Sequence, residues 1–282
     1  MATLAKTEGN AAQHVSFYFA AHQDDWQLFM NPSAFHDVLD ASTKTVFIHM
    51  TAGDAGLGTK PGGRKHPLYV ARENGAESAI RFMADSAGRP PVEKVVSAPS
   101  FSNRPIRRVS YRNTVAYFLR LPDGSPDGGG YIDTGHQSLK RLADDQIGVL
   151  TAVDGTASYN SWTELVVTVR SILDFERGHA PSVQLNVPEL DSVRNASDHF
   201  DHYMTAKAAL TATERLSSRR LYYVGYASAK LPENLEGQDR DMKCAVYAVT
   251  LAGVAALDHP TSWQHYDQNF IGRNYFRVED GC

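Results

Sequence analysis

Two short clusters carry side chains whose types and spacing suit hydrolysis at a metal ion: His22-Gln23-Asp24-Asp25 and His199-Phe200-Asp201-His202. A hydrolytic zinc site takes three protein ligands, imidazole or carboxylate, and leaves one position open for water. The ion lowers the pKa of that water towards about 7 and polarises a carbonyl. A carboxylate held beside the water can then take its proton. Either cluster alone is a weak signal. An aspartate pair after a strand is often a helix cap, and histidine and aspartate are common at helix starts. Together the clusters supply enough groups for both ligation and proton transfer.

Each cluster needs an element to deliver it. Residues 15–21 are an apolar run of β-branched and aromatic side chains without polar alternation, the pattern of a strand buried on both faces. The run stops at His22, and a helical pattern follows over 24–40, with a break or kink expected at Asn31-Pro32. In an open α/β sheet, ligands bind beyond the carboxyl ends of the strands, where His22, Asp24 and Asp25 would then lie. The second cluster has the same setting. Residues 182–187 read as a strand, Asp198 as an N-cap, and His199, Asp201 and His202 as the first turn of a helix to about 215.

Further strands are expected at 45–50, 93–98, 108–111, 114–121 and 220–226, and helices at 67–85 and 239–257. Ser161-Trp162-Thr163-Glu164 fits a capping box opening a helix to about Arg177. This alternation implies an α/β fold, a mostly parallel sheet with helices on both faces. No internal repeat or domain boundary is visible, so residues 1–282 are expected to form a single domain. Pro, Gly and Asp make 121–131 a flexible loop or lid, and 258–282 is expected to pack back as a strand or a cover over the site. Residues 1–13 are expected to be frayed.

Composition narrows the function. The chain has 282 residues, 42% hydrophobic and 21% charged, an ordinary globular balance with room for a large core. A net charge of −4 without a long basic run argues against nucleic acid and anionic membranes as partners. Two cysteines, Cys244 and Cys282, make neither a disulfide framework nor a thiolate zinc cluster. Cys244 is expected in the core. No membrane span or signal-peptide pattern is present, so a cytoplasmic location is expected. No GxSxG elbow, Walker loop or GxGxxG fingerprint occurs.

The segment AHQDDWQLFM, the TAGDAG loop after the second strand, Arg72 near a helix start and the late HFDH together resemble the PIG-L/LmbE-like family of zinc-dependent de-N-acetylases. The resemblance is strongest over 14–85 and 182–215. It implies a Rossmann-like α/β domain, a Zn2+ cofactor and an acetamido sugar or sugar conjugate as substrate. It also implies residue roles: His22, Asp25 and His202 as metal ligands, Asp24 as general base, His199 as oxyanion stabiliser or proton donor to the leaving amine, Asp201 as the group that orients a histidine, and Arg72 as a substrate contact. Relatives are often oligomers. The family's first motif is usually His-Pro-Asp-Asp-Glu. Gln23 and Trp26 depart from it, and Trp26 is expected to shape the substrate entrance.

Among other polar residues, His49 is expected to be a satisfied strand-end histidine and Asp54 to hold its loop. Two alternatives accompany the hydrolase reading. One is a metal-dependent hydratase or lyase on an unsaturated carboxylic acid, which Arg72, Arg107, Arg108 and Arg112 at the mouth would favour. The other is a non-catalytic metal-binding protein.

Overall fold

The computed structural model describes residues 12–90 and 92–281. Residues 1–11 of the segment expected to fray, and Cys282, lie outside the described residues. The chain runs through β1 (His14–Ala20), α1 (Asp25–Phe29), α2 (Ser33–Leu39), β2 (Thr43–Thr51), α3 (Leu68–Ser86), β3 (Val95–Ser97), β4 (Ser100–Phe101), β5 (Arg104–Pro105), β6 (Arg107–Tyr111) and β7 (Thr114–Leu121). It continues through α4 (Leu139–Ala143), β8 (Leu150–Thr151), β9 (Ser158–Tyr159), α5 (Trp162–Arg177), β10 (Ser182–Pro188), α6 (Phe200–Ala212), β11 (Arg219–Tyr223), α7 (Gly237–Ala255), α8 (Trp263–Phe270) and β12 (Phe276–Asp280).

Eight strands form one sheet in the order β12-β11-β10-β1-β2-β7-β6-β3. The five central strands, β11 to β7, run parallel, while β12 and β6 pair antiparallel at either side. Period-2 alternation divides the central side chains between two cores. Phe17, Phe19, Val46, Ile48, Val183 and Leu185 face α4, α5 and α6. Tyr18, Phe47, Phe118 and Tyr223 face α1, α2, α3, α7 and α8. Burial on both faces is why these strands read as unbroken apolar runs. From β1 the chain moves to β2 on one side, and it later returns to β10 on the other. That reversal opens a crevice at the carboxyl ends of β1 and β10.

Several boundaries differ from the sequence expectations. The helix expected over 24–40 is two helices, α1 and α2, separated at Asn31-Pro32. Ser161 Oγ does cap α5 by accepting from Glu164 N, but the Glu164 carboxylate reaches back to Asn160 N at 2.9 Å instead of Ser161. The tail forms both a helix, α8, and an edge strand, β12.

The 19-residue helices α3 and α7 lie unusually close at Gly75 and Gly253. A Cβ on Gly253 would sit 2.8 Å from Gly75 Cα and 2.9 Å from Asn74 O, both backbone atoms that cannot swing aside. Gly253→Val is therefore expected to destabilise the fold by about 1–3 kcal/mol, the usual cost of overpacking. Urea unfolding checks this; an unchanged midpoint would mean the helices separate at no cost.

Candidate metal centre

The first cluster turns sharply off the end of β1. Asp24 is the N-cap residue of α1 but makes no side-chain cap hydrogen bond, so its carboxylate is not consumed by the helix end. Arg72 Nη2 donates to Asp24 Oδ1, and Arg72 Nη1 donates to the Gly53 carbonyl at 2.8 Å. Gly53, with φ +52°, leaves the space that the guanidinium occupies; a Cβ there would fall 2.8 Å from Arg72 Nη1. Asp25 is buried, and its Oδ2 accepts from His22 N at 2.6 Å.

The second cluster opens α6 beyond the end of β10. His199, not Asp198, is the N-cap: its Nδ1 accepts from Asp201 N at 3.2 Å. The Asp198 carboxylate is engaged elsewhere. It faces His202 Nδ1 at 2.9 Å and accepts from Asn195 Nδ2 at 2.6 Å and Tyr226 N at 3.2 Å.

The fold brings these segments together. Two groups of possible metal donors share His22: His22, Asp25 and His202, and His22, Asp123, His199 and Asp201. In the first, Asp25 Oδ1 lies 3.5 Å from His22 Nδ1 and 3.3 Å from His202 Nε2. Metal–ligand bonds of about 2.0 Å in a tetrahedron put neighbouring ligand atoms about 3.3 Å apart. The other nitrogen of each imidazole faces a carboxylate: His202 Nδ1 meets Asp198, and His22 Nε2 lies 3.4 Å from Asp201 Oδ2. The hydrogen-bonded carboxylate of Asp198 is placed to fix the tautomer and ring orientation of His202 as a metal-binding histidine. His202 Nε2 and His22 Nε2 are both buried without a hydrogen-bond partner among the described residues, as donor atoms reserved for an ion would be. Distances in the second group are looser, 3.4 to 3.9 Å.

The electrostatics agree with the geometry. Burial penalises the His22 imidazolium, but Asp25, Asp201 and Asp123 overcome this and push its pKa up to about 10. Burial likewise opposes charge on His202, yet Asp198 and Asp25 raise it. Burial would raise the Asp25 carboxyl; His202 and His22 reverse that and hold it well below the usual carboxylate range. Both histidines thus carry protons near neutrality when no ion is bound, and an incoming ion must displace them. Metal affinity is therefore expected to rise with pH from 6 to 8, by up to about tenfold per unit for each proton displaced. Competition titrations against a chelating indicator check this, and a pH-independent affinity would contradict it. The sign for the metal-free fold is opposite. The raised His22 pKa stabilises it fully below 6.5, and that contribution is lost as pH climbs through about 10.

His199 differs from its neighbours. Burial, then the adjacent His22, push its pKa down to about 4. With Nδ1 accepting from Asp201 N, the ring proton belongs on Nε2, which faces Asp123 Oδ1 at 3.6 Å. Asp123 comes from the loop after β7. Asp54 anchors that loop by accepting from Asp123 N at 2.9 Å and Gly58 N at 2.7 Å. Gly124 N in turn donates to Asp201 Oδ2 at 2.8 Å.

Some expectations change. Trp26 does not shape an entrance. It is fully buried, its ring centroid 4.6 Å from that of Phe47, and its indole N–H donates to His49 Nε2 at 3.2 Å. His49 is satisfied as expected: its Nδ1 meets Tyr117 O at 3.0 Å, and its ring stacks on Phe118. Arg107, Arg108 and Arg112 are not free at a mouth; they pair with Glu73 and Glu77, Glu176, and Asp85 respectively. Asp123 and the partner role of Asp198 were missed. The spacing of Asp198 four residues before His202 at a helix start was the available signal for the latter.

Fold and site together define an α/β protein with a buried cluster of histidines and aspartates, able to hold a metal ion, at the crevice between β1 and β10. Among solved structures, the chain is similar to the N,N'-diacetylchitobiose deacetylase from Pyrococcus horikoshii complexed with its inhibitor MPG. The TM-score is 0.53 at 14% identity, over 96% of this chain and 85% of that one, a likeness of fold. No protein-family model and no curated protein matches the sequence. No helix among the described residues is long and apolar enough to cross a membrane.

Proposed function

We propose that the protein is a zinc-dependent amide hydrolase that removes an N-acetyl group from an amino sugar or amino-sugar conjugate. The observation that carries this reading is the convergence of His22, Asp25 and His202, with Asp25 Oδ1 3.5 Å from His22 Nδ1 and 3.3 Å from His202 Nε2 and a second carboxylate, Asp198, on the far nitrogen of His202. The deacetylase with a similar fold adds support for the reaction class and for a sugar substrate.

Zinc held by His22, Asp25 and His202 would supply Lewis acidity and make a water acidic near neutral pH. The remaining work belongs to the protein's own side chains. Asp24 takes the proton of the attacking water. Its carboxylate is oriented by Arg72, which also lines the adjoining cavity and is the proposed substrate contact there. His199 Nε2–H donates to the oxyanion that develops on the acyl oxygen, a role that suits a neutral imidazole with a fixed tautomer. The Asp201 backbone N–H holds His199 Nδ1, and its carboxylate faces His22 Nε2. The C–N bond breaks, and acetate and the protonated amine leave.

The test is release of amine from a panel of acetamido sugars by purified protein of known metal content. Turnover that tracks zinc and disappears with a chelator is the expected result. Tight metal binding with no turnover on the panel would favour the non-catalytic alternative. The hydratase reading loses the free arginines that motivated it, because three of the four are paired away from the cluster.

A further inference from the structure

Beside Asp24 lies a cavity of about 190 Å³ between α3, α7 and the segment before α8. One wall is apolar: Leu68, Leu251, Val254 and Pro260. The Asp24–Arg72 ion pair, Gln23, Thr250 and Ser262 also line it. Gln23 is 1% exposed; its Nε2 donates to Thr51 O, while its Oε1 has no hydrogen-bond partner among the described residues. Tyr266 lines the same cavity and continues through Phe270 and Tyr226 to the ring of His202, with successive centroids 5.7, 5.8 and 5.3 Å apart. Asp24, next in sequence to the donor Asp25, is the lining residue that connects the cavity to the candidate metal centre.

The two sides of the centre differ in chemistry. His199 and Asp123 make one side polar, suited to a hydroxylated amine. The Asp24 side opens onto a cavity in which the aliphatic carbons of Leu68, Leu251, Val254 and Pro260 lie beside the hydroxyls of Thr250 and Ser262. We infer that this cavity is a subsite for an acyl group larger than acetyl, an apolar chain reaching past Asp24 between α3 and α7. This rests on the amide-hydrolase reading and specifies its substrate. Hydrolysis remains balanced as before: the water oxygen joins the acyl carbon, the C–N bond breaks, and the amine leaves with the proton. Each buried methylene contributes about a fourfold gain in binding.

The experiment compares N-acetyl-, N-butyryl- and N-hexanoylglucosamine. Amine release is measured with the metal-loaded enzyme, and calorimetric binding with the metal-free protein. The expected result is at least a tenfold preference for hexanoyl over acetyl in both readouts, expressed in KM more than in kcat. Leu68→Trp, at a half-buried position at the start of α3, is expected to fill the cavity and reduce that ratio to about one or below. Leu251→Phe, from the α7 side, is expected to do the same and serves if the first variant does not fold. A flat or falling series in the wild type, or a preference indifferent to both variants, would overturn the inference. The two readings fail separately. Acetyl release without chain-length preference sinks the subsite alone. A hexanoyl preference in binding with no amine released from any substrate sinks the hydrolase alone.

Discussion

Asp24→Asn is expected to lower amide hydrolysis by about 10²–10⁴-fold, the usual contribution of a positioned general base, while the bound metal is retained. Asparagine keeps the shape and can still accept from Arg72, so the loop after β1 stays in place. The ion pair is only one-fifth exposed on each side, so leaving Arg72 without its counter-charge is expected to cost up to about 3–5 kcal/mol of stability, offset in part by the hydrogen bond that asparagine still accepts. Asp24 is not among the residues grouped as possible metal donors, which is why metal content should survive. The check is kcat/KM beside metal analysis of the same preparation. Full activity in a metal-replete variant would remove Asp24 from the mechanism. Loss of metal together with activity would make it a ligand.

Asp25→Asn is expected to act differently, on the metal and on the fold. It removes the one anionic donor that lies between His22 and His202. Metal per chain is expected to fall from about one to near zero after dialysis against a weak chelator, since ligation needs the carboxylate. The metal-free fold is also expected to weaken, because two buried imidazolium groups lose a shared counter-charge. Breaking a buried pair from one side commonly costs about 3–5 kcal/mol. The histidines can shed protons to relieve part of that cost. The deficit should therefore be largest near pH 5–6, where both are charged, and shrink as pH rises towards the His22 value of about 10. Denaturant unfolding of chelated wild type and variant at pH 6 and 9 measures this. An equal deficit at both pH values would assign the cost to packing instead of charge.

The sequence made the central architecture visible because its signals are local. Phe17, Phe47, Tyr117 and Leu185 sit in apolar runs whose length and β-branched content specify buried parallel strands without knowledge of their neighbours. The same holds for the capping serine of α5 and for the two clusters at strand ends, since a strand's carboxyl end is fixed by where its apolar run stops. Asn31-Pro32 marked the division of the first helix for an equally local reason: proline cannot donate the helical hydrogen bond.

What the sequence by itself determined is therefore which residues could do chemistry, and at which end of which element they lie. Only the tertiary structure decided what each of them faces. It set Arg72 on Asp24 across 48 residues, Asp123 beside His199 across 76, and the Trp26 indole on His49 inside a core instead of at an entrance. It also gave the Asp198 carboxylate to His202, which left the cap of α6 to His199. The physical reason is common to all four. A carboxylate, guanidinium or indole carries no local record of its partner, because that partner is chosen by strand order and helix packing. In this chain the return to β10 beside β1, and the close approach of α3 and α7 at two glycines, made those choices.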